Sequence, residues 1–175
     1  MNYSYFDCLV SLGVGGAHPG GLQLSKRILA REDITPEKSI LDVGCGTGQT
    51  AAYLAEKYRC PVTCLDNNQI MLEKAKQRFS AVNSAVNVIC GSAENLPFGA
   101  QLFDFILSES VTAFTKVSLS IPEFKRVLKP TGVFLAIEMV LENFLAAEEL
   151  KTIVDFYGVS QLLTVSEWLD LFRQA

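Results

Sequence analysis

The sequence lacks several features that would assign it to a broad class of proteins. No run of about 18 uncharged apolar residues occurs, so we predict no membrane span. The 15 Lys and Arg are outnumbered by 19 Asp and Glu and are scattered, which argues against nucleic acid as a partner. The N-terminus has neither a positive start nor a continuous apolar segment, so a cytoplasmic location is the default expectation.

Signatures of metal binding and of disulfide scaffolds are also missing. The five cysteines are an odd number without paired CxxC spacing, and we expect them to be reduced thiols. Histidine occurs once, at His18. The sequence therefore predicts no metal site.

What the sequence does contain is apolar material for one folded unit. Hydrophobic residues make up 49% of the 175 residues and charged residues only 19%, which favours a packed core over a disordered chain. This length fits a single domain spanning residues 1–175. We divide it into an N-terminal lid and helix (1–38), a ligand-binding core (39–139) and C-terminal helices (140–175).

Short apolar runs alternate with segments of helical periodicity. This alternation is typical of parallel strands joined by crossover helices, and it predicts an α/β fold. The predicted strands are 39–43, 62–66, 86–90, 103–108 and 133–139. The predicted helices are 22–31, 49–58, 69–79, 121–128, 143–156 and 164–173, with Asn68 as the cap of the third and a capping box from Thr164 to Glu167 in the last.

A glycine-rich loop follows the first predicted strand. Residues 40–48 read ILDVGCGTG, and glycine in such a loop lets the backbone approach a ligand closely. Dinucleotide binders need GxGxxG, whereas here the third glycine is Gly48 and Gln49 follows, giving GxGxG. With Asp42 before it, the loop resembles the first motif of the Rossmann-like methyltransferases.

Later segments extend this resemblance. Asp66 ends the second predicted strand, where a carboxylate can accept hydrogen bonds from both ribose hydroxyls. Residues 91–98, GSAENLPF, are similar to the adenine-binding segment of the ubiquinone/menaquinone-biosynthesis-like methyltransferases, which has Asp where this chain has Ser92. Residues 103–108 and 124–132 (FKRVLKPTG) complete the similarity, the last segment turning the chain into the fifth strand.

The resemblance implies a fold, a cofactor and a set of binding residues. The fold is a Rossmann-like, doubly wound, mainly parallel sheet of order 3-2-1-4-5 with helices on both faces, here without the family's C-terminal strand hairpin. The cofactor is S-adenosylmethionine, and the reaction is in-line methyl transfer to a small-molecule acceptor. The implied cofactor-binding residues are Asp42, Gly44, Cys45, Gly46, Gly48, Asp66, Asn67, Met71, Ser92, Ala93, Glu94 and Ser108, with Gly20 and Gly21 in a lid.

Three side chains are candidates for removing a proton from the acceptor. Glu109, Glu138 and His18 all lie where ligands of open α/β sheets bind, although each has a plainer structural explanation. The acceptor pocket is expected from Tyr3, Tyr5, Phe6, the loop 110–115 with Phe114, and the region after Met139. These residues favour a small, partly hydrophobic acceptor.

Other interpretations remain open at this point. A module that binds S-adenosylmethionine without turnover is suggested by Ser92 and by the lack of a convincing base. An NAD-dependent oxidoreductase shares the strand-loop-helix followed by an acidic residue. Residues 133–137 also predict an apolar sheet edge, and a homodimer through this edge is a further expectation.

Overall fold

The computed structural model describes residues 5–81, 86–143 and 145–174, apart from the side chain of Phe6. Five strands form one parallel sheet in the order β3-β2-β1-β4-β5, which confirms the predicted α/β class and strand order. The strands are β1 (Ile40–Val43), β2 (Val62–Asp66), β3 (Val86–Cys90), β4 (Phe103–Glu109) and β5 (Leu128–Ile137).

Helices connect the strands and cover both faces of the sheet. They are α1 (Tyr5–Leu12), α2 (Gly21–Leu29), α3 (Gln49–Tyr58), α4 (Gln69–Ala81), α5 (Val117–Val127), α6 (Ala147–Tyr157) and α7 (Val165–Gln174), with a 3-10 turn η1 (Thr112–Phe114) after β4. A separate two-stranded parallel pair joins β6 (Val140–Leu141) to β7 (Leu163–Thr164). None of the helices in the described ranges is long and apolar enough to cross a membrane.

The core follows from the alternation of side chains along the strands. Ile40 packs with residues of α2, α3 and α4 on one face of the sheet, whereas Leu41 and Val43 pack with Phe124 of α5 on the other face. Buried strands of this kind are apolar on both sides because helices cover both faces. The carboxyl ends of β1 to β4 are thereby held at one edge of the sheet.

Several element boundaries differ from the prediction, notably at β5 and α5, and α1, β6 and β7 were not predicted. β5 begins at Leu128, so the segment expected as a turn is part of the strand, and Leu128 pairs with Phe103 across a register irregularity. α5 begins at Val117, before the expected start at Ile121, and Pro122 therefore lies in its second turn. A tertiary contact explains the early start, since the Glu94 carboxylate accepts a hydrogen bond from the backbone N–H of Lys116.

Local signals at helix ends are confirmed. Asn68 Oδ1 accepts hydrogen bonds from the N–H groups of Ile70 and Met71, at 3.0 and 3.2 Å, as a cap of α4. The side chain of Glu167 accepts a hydrogen bond from the N–H of Thr164, and Thr164 Oγ1 accepts one from the N–H of Glu167, which is the predicted capping box. The five cysteines are free thiols, as expected.

The fifth strand is covered on its faces by the chain's own helices. Phe134 stacks on Phe124 of α5 and meets Phe172 of α7 edge to face, at 5.3 Å between ring centroids in both cases. Val133 and Leu135 pack on the opposite core cluster. The apolar side chains that suggested an interface therefore have partners within the chain.

Candidate cofactor and acceptor site

A cavity of about 510 Å³ lies beyond the carboxyl ends of β1 to β4. Its lining combines two groups of residues that are far apart in the sequence. The first group is Gly44, Cys45, Gly46, Gln49, Thr50, Leu65, Asp66, Asn67, Met71, Gly91, Ser92, Ala93 and Glu94. The second group is Tyr5, Leu9, Val14, Gly15, Gly16, Ala17, Pro19, Glu109, Ser110, Val111, Phe114, Thr115, Met139, Tyr157 and Gly158.

The three glycines of the loop after β1 have different roles. Gly44 has φ +66°, and a Cβ there would lie 2.2 Å from Val111 Cγ2, so no larger residue fits. A Cβ on Gly46 would have no neighbour within 4 Å, because this backbone faces the open cavity. Gly48 is not among the lining residues, and a Cβ there would lie 2.5 Å from Phe79, so Gly48 allows α3 and α4 to pack closely.

Asp66 fixes the geometry of two backbone segments at the cavity. Its Oδ2 accepts a hydrogen bond from Gly46 N at 2.8 Å, and its Oδ1 accepts one from Asn68 N at 2.9 Å. Burial raises the pKa of Asp66, while these backbone hydrogen bonds act in the opposite direction. The carboxylate thereby ties the glycine loop to the start of α4, with Asn67 and Met71 lining the wall beside it.

Asp42 is placed differently from the expectation of a residue in contact with the cofactor. Its side chain is buried beneath the glycine loop and does not line the cavity. Burial raises its pKa well above the usual range, and the nearby carboxylates of Glu109 and Asp66 raise it further. Asp42 therefore influences the cavity indirectly, because its charge affects the nearby carboxylates and its side chain packs inside the protein.

The segment after β3 lines the cavity as predicted, with an internal turn of its own. Ser92 Oγ accepts a hydrogen bond from the N–H of Glu94 at 3.1 Å, and Ala93 is buried between them. Glu94 Oε1 accepts from the N–H of Lys116 at 2.8 Å. The replacement of the family's Asp by Ser92 thus places a hydroxyl that shapes the turn where a carboxylate was expected.

Of the three candidate bases, Glu109 is the one that lines the cavity. Thr50 Oγ1 donates a hydrogen bond to Glu109 Oε2 at 2.7 Å, and His18 Nε2 lies 3.5 Å from the same oxygen. The other oxygen, Oε1, is buried and has no hydrogen-bond partner within the described part of the chain. His18 itself stands behind Glu109 and is not a lining residue.

The side chains of Glu138 and Ser108 make hydrogen bonds within the protein. Glu138 accepts hydrogen bonds from the N–H groups of Thr112 and Ala113, at 2.9 and 3.4 Å, which join the end of β5 to η1. Burial raises the pKa of Glu138 despite these hydrogen bonds. Ser108 is fully buried, with its hydroxyl 2.9 Å from Thr112 Oγ1. Neither residue lines the cavity.

The glycine-rich segment near the N-terminus reaches the cavity with different residues from those expected. Residues 14–17 and Pro19 line it, whereas Gly20 and Gly21 do not. Gly20 is the N-cap of α2 in the left-handed conformation, where a Cβ would lie 2.6 Å from Leu24. The adjacent pair Gly15 and Gly16 was the signal that sequence reasoning passed over.

The far end of the cavity is apolar and aromatic. Tyr5 of α1 meets Tyr157 of α6 edge to face, with 5.0 Å between ring centroids. Phe114 and Met139 complete this end. Tyr5 and Phe114 were predicted here, and the region after Met139, also predicted, contributes Tyr157 and Gly158, which no local motif marks. Tyr3 and the side chain of Phe6 lie outside what the structure describes.

Comparison with known proteins shows the family of the chain. Residues 41–136 match the family of methyltransferase domains named Methyltransf_11. The chain belongs to this methyltransferase family. It is 46% identical over 169 residues to the uncharacterized methyltransferase YodH of Bacillus subtilis. The aligned residues cover 97% of this chain and 72% of that protein. It is 30% identical to the ubiquinone/menaquinone biosynthesis C-methyltransferase UbiE of Rickettsia felis, over 97% of this chain and 69% of that protein.

Solved structures give the same fold. Phosphoethanolamine N-methyltransferase 2 of Haemonchus contortus, solved with S-adenosylhomocysteine, superposes with a TM-score of 0.82 at 22% identity, over 90% of this chain and 37% of that one. The Rossmann-like methyltransferase fold is thereby confirmed. The chain is an S-adenosylmethionine-dependent methyltransferase, and the NAD-dependent oxidoreductase is set aside.

Proposed function

We propose that this methyltransferase transfers the methyl group of S-adenosylmethionine to a small, partly apolar molecule held at the aromatic end of the cavity. The observation that carries the proposal is the continuity of the cavity, which joins the glycine loop and Asp66 at one end to Tyr5, Phe114 and Tyr157 at the other. Methyl transfer needs donor and acceptor in line and shielded from water, and a single cavity with two distinct ends supports both requirements.

The cofactor end suits an S-adenosyl nucleoside. In our proposal Asp66 accepts hydrogen bonds from the ribose, and Met71 with the segment 92–94 packs around the adenine. Gly44, Cys45 and Gly46 then face the methionine half, where the exposed backbone of Gly46 leaves room for a ligand. The Asp66 carboxylate lines this end of the cavity, and its negative charge complements a sulfonium and an ammonium group.

The acceptor end suits an apolar body with one polar group. We propose Glu109 as the residue that receives a proton from the acceptor, because it is the candidate whose carboxylate lines the cavity and retains a free oxygen. His18 and Thr50 position this carboxylate by contacting its other oxygen. Glu138 is proposed as a structural carboxylate that fixes η1 and, through it, Phe114.

Two expectations about the cellular location and the partners of the protein remain predictions. A cytoplasmic location and the absence of nucleic acid partners rest on the sequence. A homodimer through the β5 edge is proposed as well, and light scattering at high protein concentration tests it. A monomer there would contradict this proposal.

The function is tested in two steps that separate binding from turnover. Calorimetry with S-adenosylhomocysteine is expected to show a 1:1 complex, and radiolabelled S-adenosylmethionine is expected to label a small molecule in a filtered extract. Binding without labelling would favour the non-catalytic module. A folded protein that binds neither nucleoside would contradict the proposed function itself.

A further inference from the structure

The charged side chains that line the cavity all have the same sign. Asp66, Glu94 and Glu109 are lining residues, whereas no Lys or Arg lines the cavity within residues 5–81, 86–143 and 145–174. An acceptor that carries a carboxylate or a phosphate normally meets Arg or Lys in its binding site. The lining therefore disfavours an anionic acceptor.

The three carboxylates differ in how far the protein already satisfies them. Asp66 uses both oxygens for the N–H groups of Gly46 and Asn68, and Glu94 accepts from the N–H of Lys116. Glu109 uses Oε2 for Thr50, while its side chain is only 10% exposed and Oε1 has no partner among the described residues. A buried oxygen without a partner costs free energy, and a ligand that donates a hydrogen bond to it removes that cost.

The next residue along the chain repeats this feature. Ser110 lines the cavity, and its Oγ is also buried without a hydrogen-bond partner in the described ranges. Its backbone has φ +55°, a strained conformation for serine, held by a 2.7 Å hydrogen bond from its N–H to Ile137 O. Strain of this kind collects at functional sites. Two adjacent lining residues thus each hold a buried side-chain oxygen that has no hydrogen-bond partner among the described residues.

We infer that the acceptor presents a primary amine on an apolar body and binds beside Glu109 and Ser110, where rotation of these two side chains lets Glu109 Oε1 and Ser110 Oγ each accept one of its N–H groups. The inference rests on the proposed function and names its substrate class. Two donors match two acceptors, and the nitrogen lone pair stays free to face the methyl group. The apolar body lies against Tyr5, Phe114 and Tyr157, which offer aromatic surface at the far end.

The charge changes of the reaction agree with a nitrogen acceptor. The lone pair forms the new N–C bond while the C–S bond breaks and its electron pair stays on sulfur, which gives S-adenosylhomocysteine. Positive charge passes from sulfur to nitrogen beside Glu109, and the secondary ammonium that forms releases a proton to this carboxylate. An alcohol would instead have to become an anion among carboxylates, which their charge opposes.

Three compounds of similar size test the substrate class: 2-phenylethylamine, 2-phenylethanol and 3-phenylpropionate. Their affinities for the complex of the protein with S-adenosylhomocysteine are measured by calorimetry at about pH 9, where part of the amine is neutral. The amine is expected to bind at least about tenfold more tightly than the alcohol and about a hundredfold more tightly than the carboxylate. It is also expected to accept the radiolabelled methyl group fastest. An alcohol or carboxylate that binds as well as the amine, or the absence of binding by all three, overturns the inference.

Single substitutions test whether Glu109 and Ser110 bind the amine. Glu109→Gln and Ser110→Ala are expected to weaken amine binding about tenfold and about threefold, with S-adenosylhomocysteine binding changed by less than about threefold. Glu56→Gln on α3 and Ser118→Ala on α5 remove the same groups at exposed positions and serve as controls. Unchanged amine binding in both site variants contradicts the inference. If Glu109→Gln weakens the binding of S-adenosylhomocysteine instead of the binding of the amine, Glu109 holds the cofactor and the inference is wrong. A wild-type protein that binds no nucleoside contradicts the proposed function itself.

Discussion

The two ends of the cavity are built in different ways. The cofactor end comes from short segments that directly follow β1, β2 and β3, and its shape is set by backbone conformation and by Asp66. The acceptor end is assembled from α1, the loop after β4 and the end of α6, and its surface consists mainly of side chains. In the proposed function, the sheet's own loops hold the ligand common to the family, and the elements added around the sheet contact the variable ligand.

Substitutions in the glycine loop give the most direct test of the difference between the two ends of the cavity. We expect Gly44→Ala to lower the free energy of unfolding by about 3 kcal/mol, because the new Cβ meets Val111 and the left-handed backbone disfavours alanine. Nucleoside binding is expected to be lost as well. Gly46→Ala adds strain alone, about 1 kcal/mol, because its Cβ would have open space. Denaturant unfolding measures both variants.

A second substitution separates crowding from strain at the same position. Val111→Ala in the Gly44→Ala background is expected to recover the part of the loss that comes from the 2.2 Å contact. Equal losses for Gly44→Ala and Gly46→Ala would show that crowding by Val111 is unimportant.

Asp66 tests whether the cofactor end works independently of the acceptor end. Asp66→Asn replaces one of two accepting oxygens by a donor that faces a backbone N–H, and we expect about a hundredfold weaker S-adenosylhomocysteine binding in calorimetry. The KM of the acceptor is expected to stay within about threefold. Asp33→Asn, at an exposed position before β1, is the matched control. A large change in acceptor KM would show that the two ends are coupled.

Asp104 probes a region remote from both ends. Burial alone would raise its pKa, but hydrogen bonds from Lys129 and Ser39 outweigh burial and hold the pKa well below the usual range. Because the folded-state pKa is depressed, this stabilisation is present above the unfolded pKa of about 4 and is lost as the pH falls toward the folded value.

We therefore expect Asp104→Asn to lower the free energy of unfolding by about 2 kcal/mol at neutral pH and by less at about pH 3. Denaturant unfolding across this pH range measures the difference, with nucleoside affinity as a readout that should not move. A deficit that is constant with pH would contradict the role of the Asp104 charge.

Phe114 is the counterpart test at the acceptor end. Phe114→Ala removes aromatic surface from the lining, and we expect about a tenfold higher acceptor KM while S-adenosylhomocysteine binding stays unchanged. Leu119→Ala, on the exposed side of α5, is a control for the loss of an apolar side chain. Weaker nucleoside binding by Phe114→Ala would remove the distinction between the two ends.

The smallest expected effect concerns the support of the acceptor end. Thr164→Ala removes one half of the capping box of α7, which costs about 1 kcal/mol. Trp168 of α7 belongs to the same cluster as Ala113, with Phe114, Met139 and Tyr157 packed against it, so acceptor binding is expected to weaken slightly. Thr152→Ala, where the hydroxyl bonds within α6, serves as the comparison. An unchanged unfolding free energy would show that this cap is dispensable.

Much of the cofactor end was predictable because its signals are local. The spacing of Gly44 and Gly46, the position of Asp66 after β2 and the cap at Asn68 depend on residues next to them, and the structure places them as expected. The prediction was less exact where a tertiary contact decides. The start of α5 depends on Glu94, which lies 22 residues before Lys116.

Roles were harder to predict than positions. Gly48 and Ser108 belong to the right segments, yet one packs helices together and the other is buried in a hydrogen bond with Thr112. Glu109 ends β4, and Glu138 directly follows β5. Only the tertiary structure shows that backbone N–H groups donate hydrogen bonds to the Glu138 carboxylate, whereas one oxygen of Glu109 has no partner among the described residues. The sequence offers no signal for this difference, because the partners come from other elements.

The sequence by itself determined the succession of the five strands and their crossover helices and the α/β class, because periodicity, turn residues and helix caps act over a few neighbouring positions. The order of the strands in the sheet was predicted from the family resemblance, and the structure confirms it. The tertiary structure decided which carboxylate remains unsatisfied and which aromatic rings face the acceptor. Those outcomes depend on side chains such as Tyr5 and Tyr157, which are brought together from opposite ends of the chain by packing of the whole fold.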